Sequence, residues 1–286
     1  MDRVAVVAVI FPGNLPFFGS FLASVEMQTT ADFDLIIIND GAGDLTGVIG
    51  NKSYLIKDVI ILKGFPFEIR VKAIKELTNR GYEKLIFSDT DDTLSSNRVK
   101  VVVEALNHYS IVCNDLDILN EEGTVVEKNY WSRRLGENFI IEPAFLVDKN
   151  IIGFGNCGIR LDIELPSFRA YPNIMAPDWI FFSQLVRNEK KALFTAQGTV
   201  GYRQHSNNTI GLKKVTQARI LKTINCKIEF YSELVKMGYS FEQELQRHLH
   251  MKEAALNNDS WVESSLNKIR KENLNLFWWE ETNTLI

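Results

Sequence analysis

The chain opens with a rhythm of short apolar runs separated by amphipathic segments. Aliphatic and β-branched residues dominate positions 4–11, 35–39, 58–62 and 84–88, and the length of these runs predicts strands. Between them, residues 17–28 (FFGSFLASVEMQ) and 70–80 (RVKAIKELTNR) space their apolar positions by three and four. That spacing predicts helices with one core-facing side, the second ending before Gly81. Strands alternating with helices of this length imply βαβ units, an α/β fold and a parallel sheet. Over 107–208 the pattern is less regular, mixing apolar runs such as 139–147 with glycine-rich turns such as GFGNCG. From about Lys213 it turns helical. Phe230, Leu234, Met237 and Tyr239 are expected on one helix, and 252–276 is expected to continue in the same manner. The tail sets Phe277, Trp278 and Trp279 side by side, either packed onto the main domain or exposed as an aromatic patch for a partner.

In open parallel sheets ligands sit at the carboxyl ends of strands. The unusual residues fall there: Pro12-Gly13-Asn14 after the first strand, Asn39-Asp40-Gly41 after the second, and Asp89 to Asp92 after the fourth. Their coincidence predicts one shared site.

Composition narrows the classes. A chain of 286 residues with 45% hydrophobic and 24% charged residues is that of a soluble globular protein with a sizeable core. A net charge of -4, with no basic run, argues against a nucleic-acid binder. Cys113, Cys157 and Cys226 form no CxxC pair, which argues against a zinc ribbon or thioredoxin-like centre and predicts a reduced, cytoplasmic setting. The first apolar run is cut by Pro12 and Gly13, too short for a membrane span or signal segment.

The richest chemistry lies in KLIFSDTDDTL, where Asp89, Asp91 and Asp92 crowd four positions. Like charges this close demand donors, water or a cation. A calcium EF-hand beginning at Asp89 fails, because Leu94 and Lys100 stand where Gly and Glu are required. Three readings stay open. The string resembles the DxDx[T/V] motif of haloacid-dehalogenase-type phosphatases, with Asp89 as nucleophile and Asp91 as acid/base, although that motif usually closes a domain's first strand. Asp92, Thr93, Ser95 and Ser96 are candidate caps for a helix starting near Asn97. Carboxylates at i and i+2 after a buried strand also suit Mg²⁺ or Mn²⁺ bridging a nucleotide diphosphate.

The motif order resembles that of family 2 glycosyltransferases of the GT-A fold. VAVVAVIFPGN resembles the family's opening strand and turn, SVEMQTTADFDLIIINDGAGD its S-x-x-x-Q-T and D-D-G-S-x-D segments, and FSDTDD its F-x-D-x-D-D. APDWIFFSQLV and YRQHSNNTIG resemble segments of rhamnosyltransferase-like members. The resemblance implies a nucleotide-sugar-binding half over 1–105, an acceptor-side half over 106–212 and a helical extension over 213–286. It implies a UDP-, dTDP- or GDP-sugar donor, held by Phe11, Pro12, Asn14, Asp40, Gly41, Arg70 and Asp89. Asp91 would be the main ligand of Mn²⁺ or Mg²⁺, with His205 as a further ligand, and Arg203 would close over the diphosphate. Asp178 would be the general base of an inverting transfer to a glycan or lipid-linked acceptor in surface polysaccharide or glycan synthesis. Peripheral membrane contact is compatible with such acceptors. Asn39 and Ala42 depart from the family's Asp and Ser, so a catalytically degenerate sugar-nucleotide-binding protein is the alternative. Asp178 also suits the N-cap of a helix over 179–186, a role compatible with catalysis.

Overall fold

The computed structural model describes all residues except 1, 167–173, 190, 206–215, 272–276, 284 and 286. The opening runs fold as β1 (Val4–Ile10), β2 (Asp34–Asn39), β3 (Ile56–Ile61) and β4 (Lys84–Asp89). Every residue of β1 is buried, because its pleat divides the run between two cores. Ala5, Val7 and Val9 enter one cluster with Ile74 and Phe87. Val4, Val6, Ala8 and Ile10 enter the other, against Phe18, Phe21 and Leu22. Those last residues lie on α1 (Phe18–Glu26), while Ile74 lies on α3 (Pro66–Asn79). The short α2 (Thr46–Ile49) lies between β2 and β3.

Strands β3-β2-β1-β4 pair in parallel, as the βαβ pattern predicts. Beyond β4 the sheet is mixed, in the order β9-β6-β10-β5. Here β5 is Thr93–Leu94, β6 Ile111–Leu119, β9 Cys157–Arg160 and β10 Ala192–Arg203. Strand β9 runs antiparallel to both β4 and β6, whereas β6 and β10 are parallel. Two short strands, β7 (Val125–Glu127) and β8 (Asn138–Ile141), pair antiparallel with β6 and β10. Thus the stretch of weakest sequence pattern holds the two longest strands.

Two local expectations are corrected. Residues 93–94 pair with β10 as a strand, and α4 (Arg98–Ala105) starts at an Asn97 cap without a side-chain capping bond. Asp92 instead accepts from the Arg203 N–H at 2.9 Å. The C-terminal pattern is broken into α7 (Gln217–Lys236), α8 (Glu242–Asn257) and α9 (Asp259–Lys271). Phe230 and Leu234 lie on α7, but Met237 is its cap and Gly238, at φ 84°, turns the chain before Tyr239. Of the two readings of the tail, packing onto the main domain is the one observed: Phe277 and Trp279 are fully buried against Tyr130 and Trp131. Trp131 leads into the one-turn α5 (Ser132–Leu135). The remaining helix, α6 (Pro177–Glu189), packs on α7 through Trp179 and Phe230, whose rings stack at 4.0 Å. Among the described residues, no helix is long and apolar enough to cross a membrane.

Candidate active site

The apolar residues of β4 bury the strand to its end, which brings the carboxylate turn to the sheet's carboxyl edge beside β1. The turn is fixed from several sides. Thr90, wholly buried, donates to the Val9 carbonyl at 2.9 Å. Asn14 donates from Nδ2 to Asp91 Oδ1 at 3.0 Å, tying the turn after β1 to the turn after β4.

The three carboxylates then face different partners. Asp89 pairs with Arg70 of α3. Asp91 Oδ2 lies 2.9 Å from His205 Nε2, just beyond β10. Asp92 accepts from the Arg203 backbone N–H. Burial, reinforced by Asp89, pushes the Asp91 pKa up, against the hydrogen bond with His205. Asp92 is pushed well above the usual carboxylate range by burial and by Asp91 and Asp89.

Asp178 enters from the first turn of α6. The helix begins earlier than expected, at Pro177, so Asp178 lies inside its first turn rather than at the N-cap, and its Oδ1 accepts from the adjacent Trp179 N–H at 3.0 Å. The carboxyl is half-buried, and desolvation raises its pKa to about 6, opposed by the Trp179 N–H and by the Arg70 charge.

One cavity of about 670 Å³ joins these elements. Phe11, Pro12, Asp40, Arg70, Asp89, Asp91, Asp178 and His205 line it, so the structure brings together eight of the predicted residues. Asn14 and Arg203 support the carboxylate turn from behind. Arg203 is 3% exposed, and its guanidinium donates to the Asp91 carbonyl at 2.8 Å, the Glu121 carbonyl at 2.8 Å and Ser20 Oγ at 3.0 Å. Gly41 turns the chain beside Asp40 at φ 76°, a conformation suited to glycine. Asn39 closes that turn by accepting from the Ala42 N–H at 2.9 Å and donating to the Gly43 carbonyl at 2.8 Å. An Asp in its place lacks the donor for the second bond.

The sequence reading missed the wall between Asp89 and Asp178. Gly153 and Gly155 belong to the GFGNCG turn and line the cavity. A Cβ on Gly155 would lie 3.0 Å from Asp89 Oδ2, and one on Gly153 3.5 Å from Asp178 Oδ2. Asn156 staples the turn, donating to the Asn114 and Ile151 carbonyls and accepting from the Gly153 N–H. Closely spaced glycines in an apolar stretch were the visible signal, but they say nothing about which carboxylates they approach.

The donor set fits a hard divalent cation. Asp91 supplies carboxylate oxygen and His205 imidazole nitrogen, and a cation would offset both the burial and the Asp89 repulsion that raise the Asp91 pKa. The buried Asn14 Oδ1 beside this turn has no hydrogen-bond partner among the described residues, a further oxygen of the same chemistry. Among the described residues no three His, Cys, Asp or Glu side chains form a ready cage. Phosphate oxygens and water would complete the coordination, the usual manner for Mg²⁺.

No family model and no curated protein matches the sequence. Solved structures do match the fold. S. aureus TarS 1–349 in complex with UDP-GlcNAc aligns with a TM-score of 0.57 at 13% identity, over 99% of this chain and 82% of that one. The same TarS fragment with UDP aligns with a TM-score of 0.54 at 13% identity, over 98% and 77%. GalNAc-T7 with UDP, GalNAc and Mn²⁺ aligns with a TM-score of 0.51 at 12% identity, over 93% of this chain and 58% of that one. The fold is therefore that of the GT-A glycosyltransferases.

Proposed function

We propose that this protein is an inverting glycosyltransferase that moves a sugar from a nucleotide-sugar donor to an acceptor hydroxyl. One observation carries the reading: a single cavity holds the carboxylate turn and, on α6, an Asp178 with its pKa raised to about 6. The fold supports it, because solved relatives in fold contain UDP-GlcNAc or UDP.

The donor would lie in the half formed by residues 1–105. Phe11, Pro12 and Asp40 would hold the base, while the Arg70–Asp89 pair would face the ribose and diphosphate. Asp91 and His205 would hold Mn²⁺ or Mg²⁺, which when bound supplies positive charge to the leaving diphosphate. The half formed by 106–212 would receive the acceptor, a glycan or lipid-linked sugar of surface polysaccharide synthesis.

Asp178 has the chemistry for the proton. Its Oδ1 is engaged by the Trp179 N–H, so Oδ2, beside Gly153, is assigned the acceptor proton. As the acceptor oxygen bonds to the anomeric carbon, the bond from that carbon to the phosphate oxygen breaks, and the configuration inverts. A base with a pKa near 6 is ionised at neutral pH yet more basic than a free aspartate.

The test is nucleoside diphosphate release from a panel of UDP-, dTDP- and GDP-sugars with Mn²⁺, together with calorimetric binding of the three diphosphates. Release that Asp178→Asn eliminates is the expected result. A chain that neither binds nor releases any of the three sinks the reading.

A further inference from the structure

The geometry points to Trp278 as the stacking platform for a pyranose ring of the acceptor, an inference that rests on the glycosyltransferase reading above. Trp278 is the one residue of the Phe277-Trp278-Trp279 run that borders the cavity. Its neighbours Phe277 and Trp279 are both fully buried, while Trp278 is half-buried against the core. The run therefore anchors two rings and offers the third to the cavity.

Position supports the assignment. The Trp278 ring meets the Trp179 ring edge-on, with centroids 5.7 Å apart. Trp179 is the residue after Asp178 and is itself held by its Nε1 donating to the Leu146 carbonyl at 2.8 Å. The platform is thus joined, through one buried indole, to the residue assigned as base. The adjoining cavity wall adds Tyr130 and Trp131. An indole face covers the C–H face of a pyranose while leaving the equatorial hydroxyls to polar partners.

The platform is also rigid, which reduces the ordering cost of binding. Glu280 accepts from the Phe277 N–H at 3.1 Å and takes a two-point ion pair from Arg134, at 2.6 and 3.0 Å. Arg219 donates to Glu281 at 2.7 Å, and the buried Lys227 donates to Asn283 at 2.9 Å. A tail serving only to cover the core has no need to present its middle indole to the cavity beside the base.

Saturation-transfer NMR with methyl pyranosides (glucoside, galactoside, rhamnoside and N-acetylglucosaminide) on the full chain with UDP and Mn²⁺ tests the inference. Wild type is expected to transfer saturation to the ring C–H protons of at least one glycoside. Trp278→Ala should weaken that glycoside's affinity about five- to tenfold, with Trp278→Phe restoring most of it. UDP affinity measured on the same samples reports whether the variants are folded. An unchanged glycoside affinity in a Trp278→Ala variant that binds UDP overturns the inference, as does a wild type that binds UDP but no glycoside. A wild type that binds none of UDP, dTDP and GDP refutes the donor reading instead, so the two failures are distinct.

Discussion

His205 Nε2 stands 2.9 Å from Asp91 Oδ2, joining two residues 114 positions apart. The contact brings the chain beyond β10 onto the turn after β4, and it places the imidazole beside a carboxylate whose pKa is raised. If this pair holds a divalent ion, Mn²⁺ should tighten UDP binding to the wild type by about tenfold or more. Asp91→Asn and His205→Ala should each remove that enhancement while leaving metal-free UDP binding in place. Calorimetry with and without Mn²⁺ measures both, and an enhancement that survives Asp91→Asn refutes the ligand assignment.

Asp178 links activity and stability in opposite directions. Transfer should fall as pH drops through about 6, since the base must be ionised. Asp178→Asn should lower kcat by about 10²–10⁴-fold with donor affinity preserved.

The same carboxyl is disfavoured in its charged form when folded. Its raised pKa contributes stability below the unfolded value of 3.8, and that contribution is lost as pH rises through about 6. The shift corresponds to roughly 3 kcal/mol at most at neutral pH. Asn can keep the bond to the Trp179 N–H without carrying charge, so Asp178→Asn should raise the Tm at pH 7.5. A lower Tm at that pH contradicts this account of the site.

Gly153 and Gly155 provide a matched pair. A methyl on Gly155 meets Asp89 Oδ2 at 3.0 Å and Asp92 Oδ2 at 3.6 Å, so Gly155→Ala should disturb the Arg70–Asp89 pair. Nucleotide affinity should weaken several-fold, measured by titration with UDP. Gly153→Ala adds a methyl at 3.5 Å from Asp178 Oδ2, an ordinary contact, and should leave nucleotide affinity unchanged. Equal effects from both variants argue against the steric explanation.

Trp279 is wholly buried and packs its ring 4.8 Å from that of Trp131. Trp279→Ala should destabilise the protein by about 3–5 kcal/mol in denaturant unfolding. A loss below about 1 kcal/mol would mean that the tail is not part of the core.

Periodicity alone outlined the first half of the fold. Strands β1, β2 and β4 are local apolar runs buried on both faces, so residues 4–11 and 84–88 announce β1 and β4 within one or two positions. Motif order also marked Asp91, Asp178 and His205, because each sits in a recognisable local string.

Tertiary structure decided what those residues face. Strand β5 is two residues long and exists only because β10 lies beside it, so its sequence reads equally well as a helix cap. The resemblance implies Arg203 at the diphosphate, while only β10 shows that its guanidinium donates to the Asp91 and Glu121 carbonyls. Trp278 differs from Phe277 and Trp279 only in the direction its ring takes, which no sequence pattern carries. Local sequence determines elements through backbone and burial preferences that repeat every two or 3.6 residues. Partners separated by 77 to 114 positions are chosen by sheet order and packing, and only the folded chain contains that information.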